Sequence, residues 1–282
     1  MLELILGSPF VLRAIIAVFL ISILSAFVGS LAIFRESTFL VAGVAHAALA
    51  GAAFGILLSL YQITPYIDAF TGALIFAILV ALFVGTVTLK SEKASVDVAI
   101  GTAFAFSMSI AVALISMIKE YATVAWGLLI GDLLLLSERD ILYLIVLTTI
   151  VMFTTLIFMR EFLFVAFDME SATAYGVRVG FYHYLMLLLI STSVVVILKG
   201  VGAILVYALL TIPPAAANEI GKSTTSVIVI AFIISLFSGM LGLYVAFFVD
   251  IAPSGITGLI VTTIYMIIFI WKRIQLRELK SH

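Results

Sequence analysis

The sequence predicts an all-α, polytopic integral membrane helical bundle, and three observations predict it. Hydrophobic residues make up 65% of the 282-residue chain and charged residues only 10%, against roughly 45–50% and about 25% in an ordinary soluble domain. The apolar residues run in stretches of about 20, the length a helix needs to cross a bilayer. Charges fall almost entirely between those stretches, where they meet water. A soluble globule of this size lacks the polar side chains to cover its surface. With 14 Lys+Arg against 15 Asp+Glu there is no basic footprint for nucleic acid. With no cysteine there is no disulfide framework, thiolate metal site or thiol nucleophile.

Spans are expected at 10–34, 38–60, 66–89, 95–118, 141–159, 181–198, 201–217, 226–248 and 254–271. The first is too long for the apolar core of a cleaved signal. Residues 121–136 contain Gly127, Gly131 and Asp132 and are short for a crossing, so they are expected to form a half-helix that enters and leaves on one side. The span 201–217 follows a tight Lys199–Gly202 connection and is interrupted by Pro213-Pro214, which suits a broken helix. Loop charge orients the bundle. With 160–180 inside, ten cationic residues lie inside (Arg35, Lys90, Lys93, Arg160, Arg178, Lys222, Lys272, Arg273, Arg277 and Lys280), and four lie outside (Arg13, Lys119, Arg139 and Lys199). The N-terminus is then outside, the C-terminus inside, with nine crossings at most. Residues 1–282 read as a single transmembrane domain in the cell membrane, with about eight to nine transmembrane helices plus the half-helix.

The second span carries the strongest chemical signal. Gly43, Ala47, Gly51 and Gly55 recur every fourth residue, a spacing that lets helix backbones approach closely in lipid. His46 lies among them, one-third to one-half of the way along the span from Arg35. An ionisable side chain at that depth marks an ion pathway, or else is a neutral imidazole bonded to a backbone carbonyl or hydroxyl that holds two helices together. Asp250 stands in a turn before Pro253 and Gly255, at the outer mouth. Imidazole plus carboxylate suits Zn, Mn or Fe(II), whereas a helix-end carboxylate in water is the plainer reading of Asp250 alone. Asp68 and Asp132 read as solvated outer carboxylates, and the nine methionines form no thioether cluster.

Gly221-Lys222-Ser223-Thr224 looks like the tail of a phosphate-binding loop, but Ala216 occupies the position where that loop requires glycine, and no strand precedes it. The chain is therefore not expected to hydrolyse ATP. Of His46, His183 and His282, only His46 lies deep within an expected span, and no catalytic constellation is visible.

Six stretches in order resemble one family. They are Arg35–Leu40 with Ala45–Gly51, Asp97–Phe104, Trp126–Leu134, Phe167–Val177, Gly200–Ala217 and Asp250–Gly255. Together they resemble the membrane permeases of ATP-binding-cassette (ABC) metal-ion importers, the zinc/manganese/iron permease family. The resemblance implies a homodimer with a translocation route between its copies. It also implies two cytoplasmic ATPase subunits that hold the ATP, an extracytoplasmic metal-binding protein, and no cofactor beyond the transported divalent ion. It places His46 and Asp250 on the metal route. The segment Phe167–Val177 matches a cytoplasmic coupling helix, with Asp168, Glu170, Gly176 and Arg178 on the face that docks the ATPase. Many members carry an aspartate four residues before the histidine; here that residue is Ala42, so another carboxylate supplies the charge or the cation meets fewer ligands.

The expected mechanism is alternating access, the cation passing Asp250 and then His46 while the 160–180 loop transmits ATP binding and hydrolysis. A metal-binding His46 must be neutral, so uptake is expected to weaken in acid. Two alternatives stay open: a permease for a metal chelate such as a siderophore, and a stand-alone secondary transporter. The second expects intramembrane carboxylates, and the span centres hold almost none.

Overall fold

The first span begins at Pro9, whose fixed φ and missing N–H suit the first position of a helix. It continues as α1 (Pro9–Leu24), a π-helical stretch (Ser25–Gly29) and α2 (Ser30–Phe34). The computed structural model describes residues 8–64, 66–90, 93–118, 127, 131, 133–249 and 251–281, and among these it contains helices and no strand. The remaining long elements are α3 (Thr38–Leu60), α4 (Ala69–Lys90), α5 (Lys93–Ser116), α6 (Glu138–Ile157), α9 (Val179–Ile220), α10 (Thr224–Val249) and α11 (Pro253–Ser281). Two short helices, α7 (Met159–Phe167) and α8 (Met169–Ala174), sit between α6 and α9.

Helix starts follow local chemistry. Asp68 Oδ1 accepts from Thr71 N at 2.8 Å and caps α4. Ser137 and Asp140 form a reciprocal capping box at α6. Among the described residues, eight helices are long and apolar enough to span a bilayer, and Leu205–Ile220 is shorter. The chain is a multi-pass membrane protein.

The helical run α9 is two helices, because Gly202 has φ 78° and ψ 163°. His183 near its start and Asn218 near its end line the same cavity, whereas a straight helix would separate residues 35 positions apart by about 50 Å. The run is therefore a hairpin folded at Gly202. Gly131, at φ 62°, packs against Gly202 so closely that a Cβ would collide with that backbone. The expected seventh span, 201–217, is thus the short return arm Leu205–Ile220. Its prolines remove two helical donors, and protein encloses the carbonyls they leave: Val206, Leu209, Leu210, Ala216 and Ala217 are all buried. Of the expected half-helix 121–136, only Gly127, Gly131 and 133–136 lie within the described residues; Leu133–Leu135 form a 3₁₀ turn.

The most enclosed helix is α3, 83% of whose most apolar window is buried against 17% for α11. It packs on α4, α5 and α9. Helices at the periphery present large apolar side chains outward, among them Leu79, Phe153 and Leu259, which suit lipid tails. The bundle has two polar ends. At one lie Arg35, His183, Asn218 and Lys222 around a cavity of about 710 Å³, with Lys272 donating to Glu219 at 2.8 Å. At the other, Lys199 donates to Asp140 at 2.6 Å and its charge acts on Asp68. This is the partition that loop charge predicts for Arg35, Lys222 and Lys272 on one side and Lys199 on the other.

Candidate metal pathway and coupling face

His46 rises from a stretch of α3 where Ala45 and Ala47 are fully buried, yet its own ring is part-exposed. Small neighbours leave an opening that the imidazole enters. His46 Nδ1 lies 2.9 Å from the Ala42 carbonyl oxygen. A carbonyl only accepts, so Nδ1 carries the hydrogen and the Nε2 lone pair is left to accept a proton or a metal. The ring centroid is 4.5 Å from that of Phe104, which is 6.0 Å from Phe39. Both readings of His46 therefore have a partner in the structure: the carbonyl bond orients the ring as it does in metal-ligating histidines, and it also satisfies a neutral histidine.

Asp250 and Asp132 lie outside the described residues. The residues on either side of Asp250, Val249 and Ile251, are exposed, at the end of α10 and just before α11. No group of three or more metal-ligating side chains occurs among the described residues. Asp68 is exposed at the Lys199 end, where the Thr71 N–H holds its carboxyl below the usual range.

The four small residues of α3 have different neighbours. A Cβ on Gly51 would collide with the Gly72 carbonyl, and one on Gly55 with the Asp68 carbonyl, so these two seat α3 directly on α4. Gly43 meets Ile100 of α5 at ordinary contact, 3.5 Å from its Cβ position, and Ala47 is fully buried. Gly72 is the reciprocal partner that sequence reasoning missed; the other glycine of its helix, Gly85, lies thirteen positions on, so no four-residue glycine repeat announces it.

Asp168, Glu170, Gly176 and Arg178 are all exposed on the segment from the end of α7 to the start of α9. Asp168 caps α8: its Oδ1 accepts from Ser171 N at 2.9 Å and its Oδ2 from the Ser171 hydroxyl at 2.6 Å. Those bonds hold its pKa below the ordinary carboxylate value. Gly176 has φ 80° and ends α8, with Val177 N bonded to Ala172 O and Gly176 N to Thr173 O, the pairing of a glycine-terminated helix. Two exposed aromatics flank this turn, Phe167 at 67% and Tyr175 at 82%. Both lie in the Phe167–Val177 stretch, but nothing in the sequence singled them out. Their exposure on a polar segment is visible only in three dimensions.

The model of the ABC 3 transport family matches residues 8–272. The manganese transport system membrane protein MntC of Listeria monocytogenes is 32% identical over 96% of this chain and 93% of its own length. The manganese import system permease protein ScaB of Streptococcus gordonii is 28% identical over 92% and 90%. Among solved structures, PsaBC from Streptococcus pneumoniae in complex with Fab superposes with a TM-score of 0.82 at 26% identity, covering 95% of this chain and 94% of that one.

Proposed function

Because the chain belongs to the ABC 3 transport family, we propose that it is the membrane permease of an ABC importer and that its cargo is a divalent transition-metal ion, with manganese first among the candidates. Manganese comes from the names of the relatives. The observation that carries a route through this chain is His46, with Nδ1 committed to Ala42 O and Nε2 left to ligate in the most enclosed helix of the bundle. A bare divalent ion needs replacement ligands for its water shell, and imidazole is one that suits Mn, Fe or Zn.

The working assembly in this reading is two copies of the chain, a cytoplasmic ATPase that binds ATP, and an extracytoplasmic metal-binding protein. The exposed segment around Phe167, Asp168, Glu170, Tyr175, Gly176 and Arg178 offers the ATPase two aromatics within a polar rim, the composition of a docking patch. Asp250 belongs to the outer part of the route. Arg35, Lys222 and Lys272 then face the cytoplasm, as the excess of cationic residues at that end expects.

The test is uptake of Mn²⁺ into proteoliposomes containing the chain, its ATPase and the binding protein, with Zn²⁺ as competitor. ATP-dependent accumulation that falls in His46→Ala, with assembly intact, supports the reading. Uptake by the chain without ATPase, or wild-type uptake by His46→Ala, overturns it.

A further inference from the structure

We propose that Arg35 is the positioning residue through which the α7–α8 segment moves the His46 helix, and that the unprotonated Nδ1 of His183 holds Arg35 in that role. The inference rests on the permease reading and adds a specific mechanical link to it. Arg35 ends the α2 turn, and α3 begins three residues later at Thr38. Its Nη1 donates to Val165 O of α7 at 3.2 Å, and its Nη2 lies 3.6 Å from Met169 Sδ at the start of α8. The same Nη2 lies 3.2 Å from His183 Nδ1. One planar guanidinium thus joins α7, α8 and α9 to the residue that leads into α3.

The histidine tautomer follows from the partners. Arginine only donates, so Nδ1 of His183 accepts and its hydrogen sits on Nε2. Nε2 faces Thr88 Oγ1 at 2.9 Å and Gly85 O at 3.2 Å. The Thr88 hydroxyl donates to Gly85 O at 3.0 Å, so its lone pair is open to the imidazole N–H. His183 is 1% exposed. One ring nitrogen anchors the imidazole to α4 and the other fixes Arg35.

A fixed fork of hydrogen bonds transmits displacement, whereas the neighbouring Phe34–Phe167 ring contact at 5.8 Å can slide. Phe162 and Val165 are fully buried, so α7 moves as a packed unit and carries its Val165 carbonyl with it. His46 lies eleven positions beyond Arg35 on the helix that this movement would tilt.

The two nitrogens can be separated by substitution. His183→Asn keeps an acceptor near the Nδ1 position, and His183→Gln keeps a donor near the Nε2 position; Arg35→Lys keeps the charge but loses the fork. The experiment measures amide exchange at residues 38–41 in the complex with its ATPase, with and without a non-hydrolysable ATP analogue, alongside Mn²⁺ uptake per ATP hydrolysed. Wild type and His183→Asn should show a nucleotide-dependent change at 38–41. His183→Gln and Arg35→Lys should assemble and hydrolyse ATP, yet lose that change, with transport per ATP falling roughly tenfold. Equal behaviour of Asn and Gln, or no nucleotide response at 38–41 in wild type, overturns the proposal. A wild-type nucleotide response without Mn²⁺ uptake upholds the link and defeats only the manganese reading.

Discussion

Ser25 donates its hydroxyl to the carbonyl of Leu209, the acceptor that Pro213 leaves without its helical N–H. The neighbouring Leu210 carbonyl, freed in the same way by Pro214, rests against the bare Cα of Gly29. The π-helical stretch Ser25–Gly29 is thus shaped around the two prolines of the return arm. A backbone carbonyl stranded in an apolar interior is costly, and this pairing satisfies one with a hydroxyl and makes room for the other.

Ser25→Ala should therefore lower stability by about 1 kcal/mol, in the range for losing a buried hydrogen-bond partner. Gly29→Ala should cost more, because its Cβ would strike the Leu210 carbonyl. Thermal unfolding of the purified variants in detergent checks the order. Equal midpoints for both variants and wild type would count against the pairing.

The glycines of α3 and α5 should respond oppositely to alanine. Gly51→Ala forces α3 and α4 apart at Gly72, whereas a Cβ on Gly101 would meet nothing within 4 Å. The first should reduce the yield of folded protein. Gly101→Ala should be neutral or stabilise by up to about 1 kcal/mol from helix propensity. Size-exclusion profiles and melting midpoints separate the two.

The α8 cap should be insensitive to mild acid. Ser171 lowers the pKa of Asp168, and a depressed carboxylate contributes stability that is present above its unfolded pKa and lost as pH falls through the folded one. Association with the ATPase should therefore hold through mildly acidic pH, and the cap should fail only below the ordinary aspartate range. Asp168→Asn retains a good cap and should keep association, and Asp168→Ala should weaken it. Binding of wild type and both variants between pH 5 and pH 8, roughly the range where most folds are stable, checks the insensitivity to mild acid and the two substitutions.

At the other end, Asp140 is 7% exposed while its partner Lys199 is 59% exposed. Lys199→Ala removes the exposed half of the pair and leaves the enclosed Asp140 carboxylate its two Ser137 bonds, a loss of about 1 kcal/mol. Asp140→Ala removes that pair and the capping box, for a further ~1 kcal/mol. Unfolding midpoints that fall in the reverse order would show that the lysine, not the cap, anchors α6 to α9.

Much of the architecture was legible in the linear pattern. Apolar stretches separated by charges located the spans because water and lipid sort side chains by residue type alone. The Lys199–Gly202 connection was readable as tight, since a lysine and two glycines interrupt the apolar run. His46 stood out because an imidazole deep in an apolar helix has few bland explanations. The length of 201–217 was less legible: hydropathy marked the arm as apolar without showing that packing, rather than lipid, would enclose its freed carbonyls.

Composition and residue order were enough to establish an all-α membrane bundle, its approximate spans and its family, because each depends on local solvation and short motifs. Which nitrogen of His46 is free, why Gly72 must be glycine, and how Arg35 reaches α7, α8 and His183 depend on residues far apart in the chain. Those relationships come from helices packing at contact distance, where one methyl group or one hydrogen-bond direction decides what can stand beside what.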